Sequence, residues 1–131
     1  MSALSLTTVT LVVPDYEAGI AFYVGQLGLE LIEDTDLGAG KRWVIVGRNG
    51  GANLLLARAA NDAQTAAIGN QTGGRVAFFL ETDNFAETHT RFVAAGVEFL
   101  EEPRHEAYGT VAVFSDPFGN RWDLLERKEI R

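Results

Sequence analysis

A chain of 131 residues with 47% hydrophobic side chains is long enough to bury one real core and too short for two ordinary domains. It has no cysteine, which excludes a disulfide framework, a thiolate nucleophile and a cysteine-type zinc site. Eleven basic residues against eighteen acidic ones give a net charge of −7; with no basic cluster to track phosphates, the sequence predicts no nucleic-acid partner and allows a cationic small molecule.

The opening "MSALSLTTVTLVVPD" carries no basic leader, and its apolar run is far below the roughly 18 residues that suggest a membrane span. A cytoplasmic protein without membrane contact is expected. "LTTVTLVV" (6–13) is rich in β-branched residues and predicts a buried strand, ended by Pro14 and followed by Asp15, a good helix N-cap. Tyr16, Ile20, Tyr23 and Leu27 then fall on one helical stripe, and Gly28 stands where such a helix would stop. Three short strands follow, "LELIED" (29–34), "RWVIVG" (42–47) and "ANLLLAR" (52–58), separated by glycine-rich turns. "AANDAQTAAIGNQTGG" (59–74) is small, polar and without period, an exposed connection.

The pattern then restarts. "RVAFFLET" (75–82) predicts a strand, and Asn84 with Glu87 three residues on has capping-box spacing. Phe85, His89 and Phe92 repeat Tyr16, Ile20 and Tyr23 at a shift of 69 residues, and "GVEFLEE" (96–102) echoes "GLELIED" (28–34) at a shift of 68. The chain is therefore a doubled unit, with module one at 4–58, a linker at 59–74 and module two at 75–127 of a single domain. "GTVAVFS" (109–115) and "RWDLLE" (121–126) supply the closing strands, and Asp116-Pro117-Phe118-Gly119 between them favours a type I turn. On composition and spacing alone, a ferredoxin-like α+β sandwich is an equal rival.

The pattern D-x-x-x-x-I-x-F-Y-x-x-x-L-G-L from Asp15 and the pattern D-P-x-G-N-x-x-acid-L from Asp116, set in two tandem βαβββ units from Leu6 to Glu126, resemble the vicinal oxygen chelate superfamily. That superfamily contains glyoxalase I, extradiol dioxygenases, fosfomycin-resistance enzymes and bleomycin-resistance proteins. The resemblance implies an α+β fold in which two βαβββ modules form a cupped, mostly antiparallel eight-strand sheet. Such motifs specify the fold and guide the reaction poorly.

In metal-dependent members the resemblance implies a divalent cation held by four His or carboxylate side chains, one on the first and one on the fourth strand of each module. Those residue types are needed because such cations take imidazole nitrogen and carboxylate oxygen and keep positions open for two substrate oxygens. Here the positions fall on Thr8, on Leu55, on Arg75 or Ala77 according to where the strand is anchored, and on Asp123. One carboxylate of four does not hold a metal, so no metal and no cofactor is expected. His89, on the helix stripe, reads as a packed or boundary histidine, and Trp43 as core.

Strand alternation puts Thr8, Thr10, Leu55, Arg75, Ala77, Phe79, Arg121 and Asp123 on the concave side, and Val9, Leu11, Val76, Phe78, Trp122 and Leu124 toward the helices. His105 and Tyr108 lie in "EEPRHEAYG", a loop that the resemblance places over the cavity mouth. The ligand-binding candidates are thus Thr8, Thr10, Leu55, Arg75, Phe79, His105, Tyr108, Arg121 and Asp123. An arginine is expected to replace the lost cation by pairing with Asp123, Arg75 first and Arg121 second. The reading is a metal-independent homodimer that sequesters a small organic molecule. Two alternatives stay open: an enzyme (lyase, isomerase or dioxygenase) using a metal elsewhere or His105 with Asp123 as acid and base, and a ligand sensor or interaction module without turnover.

Overall fold

The computed structural model describes residues 2–128. It is an α+β chain that divides into two compact units, one running through Ile68 and one beginning at Gly69. Among the described residues, no helix is long and apolar enough to cross a membrane.

The first unit holds a four-stranded sheet in the order β1-β4-β3-β2. β1 (Thr8–Val13) lies parallel to β4 (Asn53–Arg58), and β3 (Lys41–Gly47) is antiparallel to both β4 and β2 (Glu30–Gly38). Alternation decides what is buried: Leu11, Val13, Val44, Val46, Leu54 and Leu56 turn to one face and close the core there. The helix that covers them starts at Tyr16, where the Asp15 carboxylate accepts the Ala18 N–H at 2.7 Å. It runs as α1 (Tyr16–Ile20) and then widens into a π-helical stretch over Ala21–Gln26, with the Leu27 N–H reaching back five residues to the Phe22 carbonyl at 2.9 Å. Tyr16, Phe22, Tyr23 and Leu27 are buried beneath it, whereas Ile20 is only half-buried. Gly19 lets the helix sit close: a Cβ there would come within 2.9 Å of Leu56 Cδ1. β2 is the outer strand, exposed at all nine residues and broken by register shifts at Leu31/Glu33 and Asp36/Gly38.

Residues 59–74 are not wholly irregular. A short helix, α2 (Asp62–Ala67), forms where the Asn61 side chain accepts the Gln64 N–H at 2.9 Å and Gln64 Oε1 accepts the Ala60 N–H at 2.7 Å.

The second unit repeats the strand order. β5 (Val76–Glu81) is parallel to β9 (Arg121–Arg127), β8 (Gly109–Ser115) is antiparallel to β9, and the far edge of β8 takes β6 (Glu98–Phe99) and then β7 (Arg104–Glu106). Among the described residues nine strands result where the sequence suggested eight, because "GVEFLEEPRHE" pairs in two pieces. α3 (Phe85–Ala94) is capped by Asn84, which accepts the Glu87 N–H at 3.1 Å, and by Glu126 Oε1, which accepts the Phe85 N–H at 2.6 Å. Its stripe lies on an aromatic core of Phe92, Phe114 and Trp122. His89 stacks between Phe85 and Phe99, with ring centroids 5.5 and 4.3 Å away, which is the packed histidine expected from its place on the stripe. Trp43, expected in the core, is instead 40% exposed, because its parity sets it opposite Val44 and Leu56.

Candidate functional site

The face of the second sheet turned away from α3 carries the half-buried acid. On β9, Trp122 and Leu124 point into the aromatic core, so Arg121, Asp123 and Leu125 point the other way. Asp123 lies directly opposite Phe79 on β5 and opposite Val113 on β8. Phe79 is 64% exposed, so an uncovered aromatic ring stands beside the carboxylate.

Asp123 Oδ1 is closed off from solvent and accepts no hydrogen bond. Burial pushes the Asp123 carboxyl above the ordinary carboxylate value of 3.8, with Arg104 opposing the rise and Glu101 adding to it. The electrostatic neighbours are therefore Arg104 and Glu101, neither of which the sequence suggested. They are placed by a break in the edge pairing. Leu100 N–H bonds to the Val113 carbonyl at 2.8 Å, and pairing resumes only at Arg104 opposite Val111. In the gap the Glu101 carboxylate takes the place of a main-chain carbonyl, accepting the Val113 N–H at 2.9 Å, and it also accepts Arg104 Nε at 3.0 Å. Arg104 reaches Glu106 as well, at 3.3 Å.

The expected Asp123 ion pair does not form: among the described residues neither Arg75 nor Arg121 lies within ion-pair distance of Asp123. A register shift between Val76 and Phe78 puts Val76, not Arg75, in step with Arg121. The alternation that assigned Arg75 inward and Val76 toward the helix fails across that bulge, and Arg75 is an exposed residue ahead of β5.

His105 is likewise not in a loop. It lies in β7 opposite Thr110, with Nδ1 3.2 Å from Thr110 Oγ1, and the Thr110–Glu126 row belongs to the α3 side of the sheet. His105 and Asp123 thus face opposite sides and do not form an acid–base couple. Tyr108 sits 48% exposed in the turn between β7 and β8. In the first unit Thr10 stands opposite Leu55 and Thr8 opposite Asn53, on the face away from α1, with Leu55 and Thr8 half-buried. Thr8, Thr10 and Leu55 thus share one face of the first sheet, and Phe79, Arg121 and Asp123 one face of the second.

The donor set does not fit a divalent cation. Asp123 has an aromatic and an aliphatic side chain as its strand neighbours, and no three His, Asp or Glu side chains among the described residues converge as ligands. What the arrangement offers instead is a carboxylate lacking a donor, an exposed ring and a fixed cation nearby.

The raised carboxyl has a consequence for stability. A folded-state value above the unfolded one means that the native chain binds the proton more tightly, so stability is lost as pH rises from about 3.8 through the folded value. Asp123→Asn, with no charge to bury, is expected to match the parent near pH 3 and to be more stable at pH 7. The gain should be about 1 kcal/mol, the low end for an unsatisfied buried polar atom, because the second oxygen is partly solvated. Urea midpoints at the two pH values check this, and an Asn variant less stable at pH 7 contradicts it.

Two βαβββ units with one strand order, and a D-P-F-G-N turn delivering an acid to the last strand, define a class of fold. Residues 5–124 match the model of the Glyoxalase/Bleomycin resistance protein/Dioxygenase superfamily, and the chain belongs to that superfamily. An uncharacterized protein of Shewanella frigidimarina is 49% identical over 93% of each chain. Among solved structures, UcmS2 is 29% identical with a TM-score of 0.80, covering 95% of this chain and 98% of its own. TnmS3, an antibiotic binding protein from Streptomyces sp. CB03234, is 26% identical with a TM-score of 0.77, covering 98% of this chain and 99% of its own.

Proposed function

We propose that this protein is a metal-independent member of its superfamily, a cytoplasmic homodimer that binds and sequesters a small organic molecule without transforming it. The observation that carries the reading is Asp123, which stands where the fold would set a metal ligand but has Phe79 and Val113 for neighbours. Such a face binds by hydrogen bonding and apolar contact, the usual make-up of a small-molecule site. TnmS3 supports the binding role, being similar over nearly the whole chain and described as an antibiotic binding protein. The opposite faces of His105 and Asp123 weigh against general acid–base turnover.

The test is a thermal-shift screen of the full chain against small organic molecules and divalent cations, with sedimentation at micromolar concentration. An organic ligand at 100 times its Kd should add about 2.7 kcal/mol of stability, with no comparable shift from zinc, nickel, iron or manganese ions. Stabilisation by a cation at one per chain, or turnover of a stabilising compound, contradicts the reading, and a stable monomer contradicts the homodimer.

A further inference from the structure

On the open face of the second sheet, several charges already have partners. Glu81 pairs with Arg127 at 2.6 Å, and Arg104 is held by Glu101 at 3.0 Å and Glu106 at 3.3 Å. Beside Phe79, on β9, two charges of opposite sign remain without a partner. Arg121 is exposed and Asp123 half-buried, and neither has a hydrogen bond or ion pair with any described residue.

In this structure they do not pair with each other. Both lie on β9 with Trp122 between them, on the same face, and the continuous register with β8 keeps them two residues apart. That is roughly 6.6 Å along the strand. Asp123 is held low between Phe79 and Val113, while Arg121 stands free at the strand's start. A carboxylate already desolvated on one oxygen gains most from a donor that brings its own charge, and a guanidinium is matched best by a planar carboxylate.

Resting on the proposed binding role, we propose that this face selects a zwitterion, a small aminocarboxylate with an apolar body, whose ammonium meets Asp123, whose carboxylate meets Arg121 and whose body lies on Phe79. The ammonium approaches the more open Oδ2 of Asp123, because Oδ1 is closed to solvent. A ligand with only one charge leaves the other group of the protein unmatched. An anion also meets Asp123 itself, and a cation meets Arg121. The selectivity therefore comes from the pair rather than from either member.

Three probes with the same ring separate the contributions: L-phenylalanine carries both charges, phenethylamine only the ammonium and 3-phenylpropionate only the carboxylate. Calorimetric titration of the full chain should give L-phenylalanine an affinity about tenfold above each analogue, or 1.4 kcal/mol. Arg121→Gln should weaken L-phenylalanine and 3-phenylpropionate while sparing phenethylamine. Asp123→Asn should weaken L-phenylalanine and phenethylamine while sparing 3-phenylpropionate, and because each variant keeps one probe, loss through misfolding is told apart from loss of the charge. Either analogue binding as tightly as L-phenylalanine overturns the proposal, as does indifference of L-phenylalanine to both substitutions or its failure to saturate by about 20 mM. A ligand from the screen that binds tightly but ignores both substitutions overturns the zwitterion and leaves the binding role standing. A chain stabilised by no small molecule overturns both.

Discussion

Phe114→Ala is expected to cost the second unit about 3–5 kcal/mol, the range for removing a buried aromatic ring, and so to bring the chain close to unfolding at room temperature. Phe114 is fully buried, and its ring centroid lies 5.7 Å from Phe92, 5.6 Å from Phe99 and 5.8 Å from Trp122. Its ring touches the helix, the edge strand β6 and the central strand β9 together, so the space it leaves cannot be refilled by one neighbour moving. Phe114→Leu, which keeps most of the volume, should cost less than half as much. Val93→Ala on the exposed side of α3, where Val93 is 54% exposed, serves as the control and should shift the midpoint by under about 0.5 kcal/mol. Urea denaturation followed by near-ultraviolet dichroism measures all three. A Phe114→Ala loss no larger than that of the control would show that these ring contacts contribute little.

Asp116→Ala is expected to cost about 3 kcal/mol, because several hydrogen bonds to one charged group fail together. Asp116 is only 3% exposed, and its carboxylate accepts the Phe118 N–H at 3.0 Å, the Asn120 N–H at 2.9 Å and Asn120 Nδ2 at 2.8 Å. Truncation leaves two main-chain donors at the turn without acceptors while Asn120, also 3% exposed, loses its partner. Asp116→Asn retains the shape and one good acceptor, so it should fall between parent and alanine. The turn also sets the start of β9, since the Asp116 N–H bonds to the Asn120 carbonyl at 3.0 Å. Its loss should therefore reach Arg121 and Asp123 as weakened ligand binding beyond what the stability change explains. A midpoint within about 0.5 kcal/mol of the parent would contradict the assignment.

The repeat was legible because it rests on short-range physics: β-branched runs ended by proline, capping residues, and one apolar stripe used twice. Details that depend on partner strands were not. Period alone cannot tell a π-helical stretch from an α-helix when the stripe holds at Tyr16, Tyr23 and Leu27. The register shift between Val76 and Phe78 is written in the pairing with β9 and not in "RVAFFLET", so parity could not be carried back to Arg75. "GVEFLEE" reads as one strand because nothing local says that the Glu101 side chain will stand in for the main chain. The "NDAQ" spacing of Asn61 and Gln64 was a visible signal for α2, hidden by the small polar residues around it. In the site, Asp123 was legible as a charge among large apolar residues, and its face followed from alternation. Arg104 was not, since its nearness to Asp123 arises only when β7 folds back along β8.

The outer strand of the first unit bears on how copies of this chain can meet. A nine-residue strand with every position exposed is a ready template for adding further strands, and Leu31, Ile32 and Leu37 would reward such growth. Glu30, Glu33, Asp34 and Asp36 oppose it: a second β2 laid against the first brings acid against acid within a few residues, in either direction. The two register shifts also interrupt the flat ladder that fibril growth needs. The strand that looks most open thus carries its own obstacles to edge-to-edge growth, which is how a long exposed edge stays compatible with a chain that does not aggregate.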